Sequence, residues 1–159
     1  AWPSRPLRFV SATAPGGAID ATARLYGEYI TEKLGVQVLV ENRPGGHSII
    51  AGDHVAKSRP DGYTFLFAVN SALTQGPILL KHVPFDAVKD FAMLAGFSPG
   101  PALFLCKQDL PAQTLREFVE LSRKQRTLVG SIGVGSRAHL IGEQMKKLLG
   151  SQMEIVHYK

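Results

Sequence analysis

A run that begins apolar, breaks on adjacent glycines and resumes with helical spacing leaves few folds open to a chain. Residues 7–24, LRFVSATAPGGAIDATAR, make such a run. Leu7, Phe9 and Val10 suit a buried strand. Gly16 and Gly17 permit backbone angles that a side chain penalises. From about Ala18 the apolar residues Ala23, Tyr26, Ile30 and Leu34 recur at a helical period. The segment therefore reads as strand, tight glycine turn and helix. The first N–H groups of such a helix have no partner inside it and point at the turn. Together with the helix dipole they favour an anion there. The same sequence also suits a plain strand-to-helix connection of the kind many α/β folds need. No Gly-Lys-Ser/Thr follows, so the turn is not a nucleotide P-loop. Asp20, a carboxylate at the helix start, is expected to shape the loop or to meet a ligand amine, since it would repel a carboxylate directly.

The pattern continues along the chain. Residues 36–40 alternate as a second strand, residues 41–46 read as a turn, and residues 49–57 as a short helix stopped before Pro60-Asp61-Gly62. Residues 63–69 are almost wholly apolar, as in a parallel sheet covered on both faces. Strands alternating with helices predict βαβ units. In such sheets ligands sit beyond the carboxyl ends of the strands, where both Pro15-Gly16-Gly17 and Asn70-Ser71 fall. Asn70 and Ser71 have donors for a carboxylate and equally suit a helix or turn cap. Residues 76–90 read as irregular. The apolar runs 91–97 and 102–106 flank Ser98-Pro99-Gly100-Pro101, a break expected to mark a hinge between a first lobe over residues 1–98 and a second over residues 99–159. Residues 111–126 read as a helix and 128–132 as a strand. Gly133-Val134-Gly135-Ser136 is a second glycine turn, followed by a helix over 138–149 and a last strand over 153–156. Strand, glycine turn and helix thus occur once in each half. Two such anion sites facing each other across a cleft would grip a small acid between lobes.

Composition narrows the function. With 45% hydrophobic and 19% charged residues, the 159-residue chain has the make-up of a globular protein. No apolar run approaches the roughly 20 residues of a membrane helix. The start, Ala-Trp-Pro-Ser-Arg-Pro, lacks the apolar stretch of a signal peptide, as expected of a processed or trimmed chain. The formal net charge of +5 is spread along the sequence, with clusters at Arg123-Lys124-Gln125-Arg126 and Lys146-Lys147 that read as solvated helix ends. Nucleic-acid binders concentrate such charge on one face among stacking aromatics, so no nucleic-acid partner is expected. The sign favours acidic small molecules. The single cysteine, Cys106, lies in an apolar run and is expected to be a buried structural thiol.

Side-chain catalysis finds little support. His47, His54, His82, His139 and His157 show no metal-ligand spacing, and no serine lies in G-x-S-x-G. Neither a metal, a cofactor nor an enzyme activity is expected. Ser131 and Ser136 read as hydroxyl donors, and His139, in the first turn of its helix, as an imidazole that donates to a ligand or caps the turn. The rival is an NAD(P)-binding Rossmann-type enzyme. Residues 133–138 fit G-x-G-x-x-G/A between a strand and a helix, with Glu154 about 20 residues on. Against it, Glu154 would begin its strand, whereas the ribose-binding acid ends one.

Several of these pieces together resemble the Bug family, the extracytoplasmic solute receptors of tripartite tricarboxylate transporters. The matching residues are Arg5-Pro6-Leu7-Arg8, Ala14-Pro15-Gly16-Gly17-Ala18-Ile19-Asp20 with Ala23-Arg24, and Leu34-Gly35. They continue with Val40-Glu41-Asn42-Arg43-Pro44-Gly45, Val55-Ala56-Lys57 and Pro60-Asp61-Gly62-Tyr63-Thr64. Pro84-Phe85-Asp86, Lys89-Asp90-Phe91, Gly130-Ser131-Ile132-Gly133, Gly135-Ser136 and His139-Leu140 complete the set.

The resemblance implies an α/β fold of the type II periplasmic binding-protein kind, with one parallel-sheet lobe and an incomplete second lobe. It implies a periplasmic receptor that closes on a small carboxylate (a tricarboxylate, dicarboxylate, amino acid or aromatic acid) and delivers it to membrane transporter subunits. Carried over by motif, the ligand-binding residues are Gly16, Gly17, Ala18 and Asp20, with Asn70 and Ser71, and Ser131, Ser136 and His139. A ligand-sensing module that signals to a partner protein would look the same in sequence. The family chain is roughly twice as long, and where it usually reads Val-Pro-Tyr-Lys-Gly this chain has Val156-His157-Tyr158-Lys159. An incomplete parallel sheet leaves strand edges open, which is expected to invite a homodimer or strand exchange.

Overall fold

The computed structural model describes residues 2–97 and 103–158, with the backbone alone at residues 47, 71 and 72. The Ser98-Pro99-Gly100-Pro101 break and the side chains of His47 and Ser71 therefore lie outside the described residues. The chain divides into two compact units, residues 1–93 and 94–159.

In the first unit β1 (Leu7–Ser11) leads through the glycine turn into α1 (Ala18–Leu34), β2 (Val38–Asn42), a 3-10 turn (Gly46–Ser48), α2 (Ile49–Ala56) and β3 (Thr64–Phe67). The strands form one parallel sheet in the order β2-β1-β3. β1 is central and must be covered on both faces, which explains its unbroken apolar sequence. Leu7 and Phe9 pack with Ala23 of α1, whereas Val10 and Ala12 pack with Ala51 of α2. This period of two is the pleat of the strand sorted between two helices.

α1 stops where Gly35 turns left-handed at φ +64 and donates its N–H to the Thr31 carbonyl. That cap delays the next strand, so β2 begins at Val38, two residues later than the alternation predicts. Asn70 opens a short helix, α3 (Asn70–Thr74), and the start of the stretch read as irregular, residues 76–90, instead carries α4 (Gly76–Leu79).

The second unit holds α5 (Leu115–Lys124), β4 (Thr127–Ser131), α6 (Arg137–Leu149) and β5 (Met153–His157). β4 and β5 pair in parallel across α6. Ala112, Phe118 and Met153 form its buried cluster. α5 is shorter than residues 111–126 because Thr114 caps it: the Thr114 hydroxyl accepts from Glu117 N–H at 3.2 Å, and Glu117 accepts from Gln113 N–H at 2.7 Å.

One expectation fails here. Cys106 is exposed, not buried. Residues 103–106 belong to no strand among the described residues, so Leu103 and Leu105 stand 76% and 82% exposed beside it. Phe104 alone finds an aromatic neighbour, edge-on to Phe118 at 5.0 Å.

Candidate functional site

The two glycine turns are built alike. In the first, Gly16 adopts φ +83, a conformation that suits glycine alone, and Gly17 is the N-cap of α1. Asp20 then reaches back over the turn. Its Oδ2 accepts from Gly16 N–H at 2.9 Å and from Arg24 Nε at 3.0 Å, and its Oδ1 accepts from Asn42 Nδ2 at 2.8 Å. Asn42 also donates to the Thr13 carbonyl at 3.0 Å, tying the end of β2 to the loop. These bonds, Arg24 foremost and then Gly16 and Asn42, pull the Asp20 carboxyl down to about 2.

Asp20 is 2% exposed and its oxygens are taken. Its charge is offset by the Arg24 guanidinium, 3.0 Å away. It is therefore a loop-holding carboxylate and does not face an incoming anion with an uncompensated charge. Gly17 N–H is also engaged, with the Ala14 carbonyl at 3.2 Å. Ala18, at the first position of α1, stands where helical N–H groups lack an internal partner.

Asn70 lies three residues beyond the carboxyl end of β3, exposed, as the first residue of α3. β3 runs beside β1 in register, Ser11 opposite Phe67, so the Asn70 turn and the glycine turn leave the sheet at the same end. Ser71 follows Asn70 on the same backbone.

In the second unit, Gly135 adopts φ +76 and Ser136 is the N-cap of α6. His139 takes the part of Asp20: its Nδ1 accepts from Gly135 N–H at 2.8 Å. Its own N–H donates to Ser136 Oγ at 3.2 Å. Ser131, 4% exposed at the end of β4, places Oγ 2.6 Å from His157 Nδ1. The rings of His139 and His157 meet edge to face with centroids 4.6 Å apart. Ser131, Ser136 and His139 are thus gathered around one turn. Sequence reasoning missed His157 in this group, along with Arg24 and Asn42 in the first.

Two open surface grooves of the first unit are lined by other residues. One is bordered by Arg43, Ile50, Asp53, His54 and Lys57, the other by Arg24, Glu28, Thr31 and Val38. Neither includes a predicted ligand residue.

Glu154, the acid that a dinucleotide site would need, is the second residue of β5 and pairs with Arg126. In a parallel pair this puts it beside Leu128, at the opposite end from Ser131 and His157. The second glycine turn therefore has no ribose-binding acid from β5.

Residues 22–159 match the profile of the tripartite tricarboxylate transporter family receptors. The chain belongs to that receptor family. It is 36% identical over 157 residues to a UPF0065 protein of Bordetella bronchiseptica, covering 99% of this chain and 47% of the relative. Among solved structures it resembles one described as a periplasmic transporter, with 30% identity and a TM-score of 0.81 over 99% of this chain and 54% of that one. It also resembles an R. palustris protein determined with adipate, with 25% identity and a TM-score of 0.83 over 100% of this chain and 54% of that one. The chain thus spans about half the length of the relatives it matches. Its α/β fold is that of the family's binding proteins over that half.

Proposed function

We propose that the protein is a periplasmic receptor for a small carboxylic acid, which it presents to the membrane subunits of a tripartite transporter. The reading is carried by one observation: two strand–glycine turn–helix units, each with its turn closed by an i-to-i+4 bond from Gly16 to Asp20 and from Gly135 to His139. Closing the turn in this way holds the first helical N–H groups at the carboxyl end of a parallel strand, where an anion is favoured. Ala18 N–H and Asn70 are the donors of the first unit, with Ser71 beside Asn70. Gly16 and Gly17 let the backbone come close, and Asp20 holds the loop. Ser136, Ser131 and His139 serve in the second unit, where the hydroxyl of a capping serine still has a proton to donate.

The adipate bound by the R. palustris relative supports a carboxylate as the ligand class. Residues 1–98 and 99–159 are, in this reading, a first lobe and part of a second. Among the described residues the β4-β5 sheet has two strands, and its open edges support association of two chains or strand exchange. Thermal melting of the protein with adipate, malate and citrate, and separately with NAD, tests the function. Stabilisation by an acid and none by NAD is expected. Stabilisation by NAD alone would overturn the reading in favour of a dinucleotide enzyme.

A further inference from the structure

His157 ends β5 directly opposite Ser131, in register across the β4-β5 pair, and it is exposed. It therefore stands at the carboxyl end of its strand, beside the second glycine turn. We propose that His157 is a ligand-selecting residue of that turn, taking one carboxylate of a dicarboxylic acid as an imidazolium and restricting tight binding to that charge state. The proposal rests on the receptor reading above and adds to it a side chain, a charge and a pH dependence.

The two imidazoles of the cluster are not equivalent. His139 Nδ1 accepts from the Gly135 amide, so a proton there would face an N–H that cannot turn away. That bond leaves Nε2 as the ring nitrogen of His139 free to carry a proton. His157 carries no such restriction, because its Nδ1 partner is a hydroxyl. With His157 neutral, the Ser131 hydroxyl donates to Nδ1 across 2.6 Å and Nε2 bears the proton. With His157 charged, Nδ1–H donates to Ser131 Oγ, and the hydroxyl proton turns to the Gly133 carbonyl, 3.4 Å from Oγ. Both states keep the short bond. The edge-to-face contact at 4.6 Å holds the His157 ring against His139, beside the turn.

The neighbouring charges support an anion at this point. Arg137 is the basic residue on the first turn of α6. β4 brings only Ser131 to this end of the sheet. The carboxylates of α6 and β5 are paired, Glu143 with Lys146 and Glu154 with Arg126, and Glu117 and Glu120 lie on α5. Tyr158 follows His157, its N–H bonded to the Ser131 carbonyl at 2.8 Å. Histidine is the side chain that ordinarily changes charge between about pH 5 and 8.

Calorimetry of the protein with adipate at about pH 8 and about pH 6, on wild type and His157→Gln, tests this. A charge-assisted bond to carboxylate is expected to tighten wild-type binding about tenfold at the lower pH. His157→Gln keeps a polar side chain that carries no charge, and its affinity is expected to stay at the higher-pH value throughout. In parallel, the ring 15N shifts of His157 are expected to move toward the imidazolium pattern when adipate is added. Adipate binding that is independent of pH, or identical in His157→Gln, with the ring shifts unmoved, overturns the assignment of His157 alone. No binding of adipate, malate or citrate at either pH overturns the receptor reading and this assignment with it.

Discussion

Gly135 donates its N–H to His139 Nδ1 at 2.8 Å, the same bond over the same spacing that Gly16 makes to Asp20 Oδ2 at 2.9 Å. One loop is thus closed by a carboxylate that stays ionised down to strongly acid pH and the other by an imidazole nitrogen. A carboxylate in the first loop is tolerable because Arg24 and Asn42 hold it. In the second loop the same place is taken by a ring whose Nδ1 accepts from Gly135 and whose other nitrogen is left for a further bond.

Exchanging the acceptors separates these roles. His139→Asp is expected to keep the Gly135 bond and stay within about 1 kcal/mol of wild type in urea unfolding, while binding adipate about tenfold more weakly for want of an arginine partner. His139→Ala leaves the buried Gly135 amide without its acceptor and is expected to cost about 1–3 kcal/mol.

Asp20 gives a pH-dependent signature. Its carboxyl sits at about 2 in the fold against an ordinary 3.8, so its contribution is complete above about pH 4 and is lost as pH falls through about 2. The Tm difference between wild type and Asp20→Asn is expected to be largest above pH 4 and to shrink toward pH 2. A difference that grows on acidification would contradict the bonds assigned to Asp20.

The first turn was legible in sequence because its signals are local. Apolar spacing, two glycines and an acidic residue all lie within residues 7–24. Its bracing was not, because Asn42 is 22 residues from Asp20 and arrives only through the pairing of Ser11 with Asn42. His157 was hidden for the same reason: it meets Ser131 across 26 residues through the β4-β5 register. The start of α5 was different. Thr114 and Glu117 show the Ser/Thr-x-x-Glu signature of a helix N-terminus, which the longer apolar periodicity obscured. The apolar run around Cys106 implied burial, and composition alone does not reveal whether a run has a neighbour to pack against.

Thr114 supplies a stability test away from any ligand. Thr114→Ala removes the hydroxyl that caps Glu117 N–H and is expected to cost about 1 kcal/mol in urea unfolding. Adipate affinity should be unchanged.

Gly17 tests how closely the backbone must approach the ligand. A Cβ there would lie 3.2 Å from Thr13 Oγ1 and 3.3 Å from the Ala14 carbonyl. Gly17→Val is expected to lose about 1–3 kcal/mol of stability through this crowding. It is also expected to weaken adipate binding at least about tenfold by shielding the end of α1. Gly17→Ala, with the smallest added volume, should fall between it and wild type in both measurements.

The most direct measurement is a titration of 15N-labelled protein with adipate, following each backbone amide by NMR. The account predicts saturable shifts at Ala18 in the first unit and at Ser136 and His139 in the second, all with one dissociation constant. Shifts confined to the grooves around Arg43 and His54 or around Glu28 and Thr31, with Ala18 and Ser136 unmoved, would contradict it.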